Sequence, residues 1–109
     1  MINSKIIQAL ETLNIPVYWM NYDGDDSEYI IFQTNNQNDI RFTDDTADAE
    51  QSDIGLIYWF NTPDGASKID MLKELMKQNN FIKISEHDTY DDGYYGRTFN
   101  FRYVKDFEI

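Results

Sequence analysis

The sequence predicts an α+β domain in which a mainly antiparallel sheet carries two helices packed on one face. Three observations favour this class. The strand-like segments follow one another along the chain, so hairpins connect them more often than helices do. Two helical segments flank the first group of strands. A chain of 109 residues has room for a single core. The predicted order is α-β-β-β-β-α-β-β, in one domain over residues 1–109.

The first helix is predicted over residues 3–13, where isoleucine and leucine residues recur on one helical face. Pro16 ends this pattern and begins an extended segment over residues 17–20. Residues 21–28 hold four acids and Gly24, and we expect them to form a solvated loop.

The middle of the chain alternates between strand-like and polar segments. Residues 29–34 are β-branched and aromatic and predict a strand. The amide-rich residues 35–38 predict a turn, after which residues 39–43 return as the partner strand. Residues 44–53 are predicted to form a second polar loop.

Residues 54–60 form the most apolar strand of the chain. Alternation places Ile57 and Trp59 on the face opposite to the other apolar side chains. A strand that is apolar on both faces is usually central and covered on both sides. Two short helices can cover one face only, so Ile57 and Trp59 are candidate residues of an oligomer interface. The side chains on the first face are Ile54, Leu56, Tyr58 and Phe60.

The second helix is predicted to begin at Pro63, with Thr62 as its cap. Two further strands are predicted over residues 81–85 and 97–103, joined by a polar, glycine-containing turn over residues 88–96. The inward side chains of the last strand are expected to be Phe99, Phe101 and Tyr103.

Acidic residues dominate the charge, with twenty Asp and Glu against nine Lys and Arg, for a net charge of −11. Such a surface repels phosphates, so specific nucleic-acid binding and membrane binding are both disfavoured. Half of the acids fall in residues 21–53, which contain one base, Arg41. This concentration predicts either a solvated face or an acidic lumen or partner face. Its candidate residues are Asp23, Asp25, Asp26, Asp44, Asp45, Asp48 and Glu50.

The absence of cysteine excludes a disulfide scaffold, a thiolate zinc site and a cysteine nucleophile. The first residues do not open into a long apolar run, and no stretch approaches the roughly 20 apolar residues that a membrane span requires. We therefore expect a soluble, cytoplasmic protein.

Candidate catalytic and metal-ligating residues are few. The stretch from Asp88 to Phe99 approaches a calcium loop, with Gly93 at position six, but Phe99 stands where the bidentate carboxylate is needed. The acids of residues 23–26 lack both the glycine and the glutamate of such a loop. His87 is the only histidine, and its acidic neighbours point to the other face of a strand. We predict no catalytic site, no cofactor and no metal site.

Several short segments of the chain follow one another in an order that a known family of proteins shares. They are residues 14–17, 28–32, 43–46, 54–60, 80–81, 88–95 and 98–103. This arrangement resembles the head–tail joining and tail-terminator (tail-completion, minor tail) proteins of tailed bacteriophages and prophages, especially those of Gram-positive hosts. The resemblance extends over most of the chain and rests on the shapes of segments.

The resemblance implies a ring-forming subunit, with six copies in the ring, that caps the tail tube and docks the head connector. It implies assembly in the host cytoplasm, a final place in the virion tail and no catalytic residues. In such a ring, Ile57 and Trp59 would lie between subunits. The acidic residues would line the lumen and repel the phosphates of DNA that slides through it. A head-completion role remains open beside the tail-terminator role.

Two other functions remain open. An acidic inhibitor or immunity-type protein would cover a basic site on a nuclease or toxin, and electrostatic steering would speed its encounter with that partner. A metal-dependent enzyme would instead show a large thermal shift on addition of Ca²⁺ or Mg²⁺.

Overall fold

A computed structural model describes residues 2–107 of the chain and confirms the α+β class. It contains two helices and one five-stranded sheet, connected in the order α-β-β-β-α-β-β. The elements are α1 (Ile2–Ala9), β1 (Val17–Trp19), β2 (Glu28–Thr43), β3 (Thr46–Phe60), α2 (Ile69–Gln78), β4 (Ile82–Asp91) and β5 (Tyr94–Asp106).

The strands lie in the order β1-β2-β3-β5-β4 across the sheet. β3 is central and antiparallel to both of its neighbours, as predicted for residues 54–60. β1 is short and runs parallel to β2, pairing only with residues 30–32. β4 forms the other edge, antiparallel to β5.

The hairpin of β2 and β3 is longer than predicted. β2 runs through residues 35–38, where a turn was expected, and only a bulge between Thr34 and Asn36 marks the place. The expected loop over residues 44–53 is also wrong, because β3 begins at Thr46 and the turn lies between Thr43 and Thr46. Both stretches lack large apolar side chains, so the sequence shows no alternation there. Their strand structure follows from backbone pairing with each other.

The end of this hairpin extends beyond the rest of the sheet. β5 ends opposite Ala49, so residues 41–48 form a two-stranded segment, which we call the arm. With the arm, the molecule measures 53 × 23 × 21 Å. β1 leaves the sheet at Met20, whose φ is 68°, and no described strand pairs with the outer edge of β2 beyond Phe32.

Most residues of the last predicted turn belong instead to the strands β4 and β5. The turn predicted over residues 88–96 contracts to Asp92 and Gly93, both with positive φ, as in a type I′ connection. The last strand consequently extends on both sides of the predicted residues 97–103.

The two helices pack on one face of the sheet, as predicted. They and the sheet share one core, in which Leu56, Tyr58 and Phe99 are fully buried. Both helices are shorter than predicted. α1 ends at Ala9 and is followed by a 3₁₀ turn, and a 3₁₀ turn over Pro63–Lys68 precedes α2. Thr62 makes no side-chain capping hydrogen bond, which corrects the predicted helix cap.

Candidate interaction face of the sheet

The sheet has a second face, which no helix of residues 2–107 covers; we call it the open face. Ile57 and Trp59 both lie on it and are half-buried. The alternation of residues 54–60 predicted this placement correctly. The open face carries Tyr29, Ile31, Gln33, Gly55, Ile57, Trp59, Thr98 and Asn100.

Trp59 lies flat against the neighbouring strand. It is opposite Gly96 on β5, and a Cβ atom on Gly96 would come within 2.9 Å of the indole ring. The same Cβ atom would approach Thr89 on β4 to 2.7 Å. On its other side Trp59 is opposite Tyr29 of β2. Glycine at position 96 therefore lets the indole cover the sheet and contribute a broad apolar surface.

A cluster of tyrosines occupies one end of the open face. The ring centroids of Tyr18 and Tyr22 are 4.4 Å apart, those of Tyr22 and Tyr29 are 4.5 Å apart, and Tyr29 contacts Tyr94 edge-on at 5.8 Å. We call Tyr18, Tyr22, Tyr29 and Tyr94 the tyrosine cluster. Such contacts fix the rings in place and add to the energy of simple burial.

Asp26 ties the loop between β1 and β2 to this cluster. Its carboxylate accepts a hydrogen bond from the Tyr18 hydroxyl at 3.2 Å, and its backbone carbonyl accepts one from Tyr94 at 2.8 Å. Its backbone N–H donates to the Tyr22 hydroxyl at 2.9 Å. Partial burial, together with the bond to Asp26, raises the pKa of Tyr18. Asp26 thus holds the loop against the open face.

Amide side chains occupy the other end of the open face. Gln33 donates a hydrogen bond to Asn35 at 2.8 Å, and Asn35 covers Gly55 so closely that a Cβ atom there would be 2.8 Å from its amide nitrogen. Between the tyrosines and the amides, Ile31 and Ile57 line a shallow depression. The open face is therefore apolar at its centre and polar at one end.

The predicted acidic residues do not form one face. Asp23, Asp25 and Asp26 lie in the loop before β2, whereas Asp44 and Asp45 form the turn at the end of the arm. These two groups are at opposite ends of a strand of 16 residues, which corresponds to about 50 Å. Asp48 and Glu50, expected in the second loop, lie on β3 between them.

The arm combines acids with exposed apolar surface. Asp48 accepts a hydrogen bond from Thr43 at 2.6 Å, and Arg41 forms an ion pair with Asp106. Phe42 is exposed over 63% of its surface. Arg41, the one basic residue of the sequence between residues 21 and 53, is therefore paired with an acid of the same chain.

Two ion-pair clusters lie on the helix side of the sheet. Glu86 accepts hydrogen bonds from Lys83 and Arg97 at 2.6 Å and from Lys73 at 3.1 Å. The bond from Lys83, supported by those from Arg97 and Lys73, lowers the pKa of Glu86 to about 2. This cluster joins α2 to β4 and β5.

In the second cluster, Glu28 accepts hydrogen bonds from the buried Tyr58 at 2.7 Å and from Lys68 at 2.6 Å. Burial alone would raise the pKa of Glu28, but these two bonds outweigh it and lower that pKa. Burial also raises the pKa of Tyr58. Both clusters stabilise the fold by joining elements on the covered side of the sheet.

The stretch that approaches a calcium loop and the only histidine of the sequence both belong to the hairpin of β4 and β5. Asp88 to Phe99 forms the hairpin of β4 and β5, in which Asp88 pairs with Arg97 at 2.7 Å. His87 is exposed on β4 opposite Thr98. Within residues 2–107, no group of three or more His, Cys, Asp or Glu side chains could hold a metal ion.

The tyrosine cluster escaped the sequence analysis, although its members extend the surface that Ile57 and Trp59 begin. Pairing of residues 29–33 with 55–59 would have placed Tyr29 and Ile31 beside them. The contributions of Tyr18 and Tyr94 depend on the parallel pairing of β1 and on the short turn before β5, which the sequence pattern did not indicate.

Comparison with known proteins gives no family for this chain. No family model matches it, and no curated protein matches it either. Within the described residues, neither helix has the length and apolar character needed to cross a membrane.

Proposed function

We propose that this chain is a non-catalytic subunit of a homo-oligomeric ring in the tail of a bacteriophage or prophage, where it caps the tail tube and joins it to the head connector. The open face supports this proposal most directly. It presents Ile57, Trp59 and Ile31 at the centre of a sheet whose other face alone is covered by helices.

The physical argument concerns the central strand. A strand that is apolar on both faces is normally covered on both sides, and exposed apolar patches on soluble proteins commonly mark interaction sites. The indole of Trp59 packs closely over Gly96, so little side-chain freedom is lost when a second molecule covers it. A rigid aromatic anchor of this kind is common at the centre of protein interfaces.

The acids support the same proposal in a modified form. Because the acidic loop and the acidic turn of the arm lie at opposite ends of β2, only one of them would line a lumen. Carboxylates at that position would repel the phosphates of DNA that passes through the ring.

The test is the size of the particle in solution and its shape by electron microscopy. We expect the wild-type chain to form an oligomer with a central hole at high concentration. The Ile57→Asp variant should remain monomeric at the same concentration, because a carboxylate cannot be buried unpaired in an interface. Light scattering coupled to size-exclusion chromatography measures the difference.

The matched control is Ile84→Asp, the same change at an exposed isoleucine on the outer edge of β4. It should leave the oligomer intact, and circular dichroism should show that both variants remain folded. A wild-type chain that stays monomeric at every concentration, with no rings in the microscope, would contradict the proposal.

The arm favours a second candidate function. It carries Asp44 and Asp45 beyond the body of the molecule, and an inhibitor could use such a projection to enter a basic site on a nuclease or toxin. The genes that neighbour this one distinguish the two functions: portal and tail-tube genes support the ring, and a toxin gene supports the inhibitor.

A further inference from the structure

A groove lies at the end of the molecule farthest from the arm, on the helix side of the sheet. One wall is the 3₁₀ turn at Pro63–Lys68, and the other is the hairpin of β4 and β5. The groove has a volume of about 550 Å³. Its apolar lining consists of Phe60, Pro63, Ala66, Ile69, Tyr90 and Tyr95.

Two tyrosines in this groove are unusually exposed. Tyr90 is exposed over 63% of its surface and Tyr95 over 40%. Their rings meet edge-on, with centroids 5.4 Å apart and planes inclined by 64°. Tyr95 also stacks on the buried Phe60 at 5.9 Å. The rings are thus held in place although they face solvent, and together they present an aromatic surface to it.

The charges around the groove favour a cationic ligand. Asp88 lines it, with 81% of its side chain exposed although its Oδ1 accepts a hydrogen bond from Arg97. The one base in the lining, Arg97, is already bound to Glu86 and Asp88. The net charge of −11 would attract a basic ligand from a distance.

We propose that this groove binds an extended, basic segment of a partner protein that contains proline. Aromatic-lined grooves bind polyproline II segments because proline rings pack between aromatic rings and the segment is already extended. The exposed carboxylate of Asp88 would then pair with a Lys or Arg beside the prolines. This role does not depend on ring formation.

The same features disfavour other ligands. Nucleic acids and anionic membranes are repelled by the charge of the chain.

The test is a titration of the ¹⁵N-labelled chain, followed by NMR, with the acetylated and amidated peptide Arg-Pro-Pro-Arg-Pro-Pro-Arg. A second peptide with glycine and serine in place of the prolines has the same length and charge. We expect saturable shifts in the amides of residues 88–97 with the first peptide, and weaker binding of the second by at least about tenfold.

The variants Tyr90→Ala and Tyr95→Ala should each weaken binding by at least about tenfold, as expected for removal of an aromatic anchor. The matched control is Phe42→Ala, because Phe42 has the same exposure as Tyr90 but lies on the arm. It should bind the peptide as the wild-type chain does.

Three outcomes would overturn the proposal. The first is equal binding of the two peptides, which would indicate attraction by charge alone. The second is unchanged binding by both tyrosine variants. The third is the absence of saturable shifts with the proline peptide.

Discussion

The two faces of the sheet are built by the same strands but differ in what covers them. On the covered face, Leu56, Tyr58 and Phe99 are enclosed by the helices. On the open face, Ile57 and Trp59 come from the same strand as Leu56 and are only half-buried. The first face therefore supplies the stability of the subunit, while the second leaves apolar surface available for association. Four comparisons test this division.

The largest effect is expected from Leu56→Ala compared with Ile57→Ala. Leu56 is fully buried, so its truncation should lower the free energy of unfolding by about 2–5 kcal/mol. Ile57→Ala should cost less than about 1.5 kcal/mol when both chains are measured as monomers. Urea denaturation measures both values. Equal losses would mean that the open face is as tightly packed as the covered one.

The next effect concerns the ion pairs on the covered side. Glu86→Gln should lower the free energy of unfolding at neutral pH by about 1.5–3 kcal/mol, because hydrogen bonds to a charged group are lost. The folded-state pKa of Glu86 is about 2, below its ordinary value of 4.5, so its contribution is complete above pH 4.5 and is lost as the pH falls towards 2.

Wild type and Glu86→Gln should therefore converge in stability near pH 2, as measured by urea denaturation at each pH. The control is Glu74→Gln on the exposed side of α2, which should change stability by less than about 0.5 kcal/mol throughout. A constant difference between wild type and Glu86→Gln down to pH 2 would exclude Glu86 as the titrating group.

On the open face, Gly96→Ala should push the indole of Trp59 away from the sheet. A Cβ atom there would be 2.9 Å from the ring, and we expect a cost of about 1–3 kcal/mol. In a Trp19→Phe background, the fluorescence of Trp59 should shift towards the emission of solvated indole. If contact with the indole causes this loss of stability, Gly96→Ala should cost less free energy of unfolding in a chain that also carries Trp59→Ala.

The smallest effect should come from Tyr18→Phe, which removes the hydroxyl bond to Asp26. We expect a loss of about 0.5–1.5 kcal/mol and faster amide hydrogen exchange in the loop over residues 21–27. Tyr90→Phe, at the groove on the covered side, is the control and should leave exchange in that loop unchanged. Unaltered exchange in Tyr18→Phe would show that the ring contacts alone hold the loop.

The sequence pattern identified those parts of the fold in which burial alternates. Leu56 and Ile57 were assigned to the correct faces because a strand with one covered face repeats every two residues. The strand structure of residues 35–38 was missed because all four side chains are polar, and nothing local distinguishes a solvated strand from a loop. Only pairing with β3, as of Gln37 with Ser52, makes this stretch a strand.

The sequence pattern identified part of the candidate site, again because burial alternates along the central strand. Ile57 and Trp59 follow from local alternation. The acidic residues were grouped by their nearness in sequence, but β2 separates Asp26 from Asp44 by its whole length. Tyr94 comes from the far end of the chain and meets Asp26 through a contact between residues 68 positions apart. No local pattern predicts such a contact.

The tight turn between Thr43 and Thr46 bears on the order in which the sheet forms. Pairing that starts there closes a very short loop, so it costs little chain entropy and can extend along the arm one residue pair at a time. The parallel pairing of β1 and the docking of β5 join segments that are far apart in sequence and must follow. We therefore expect a transition state for folding in which the hairpin of β2 and β3 is formed while β1 and β5 are not yet paired with it.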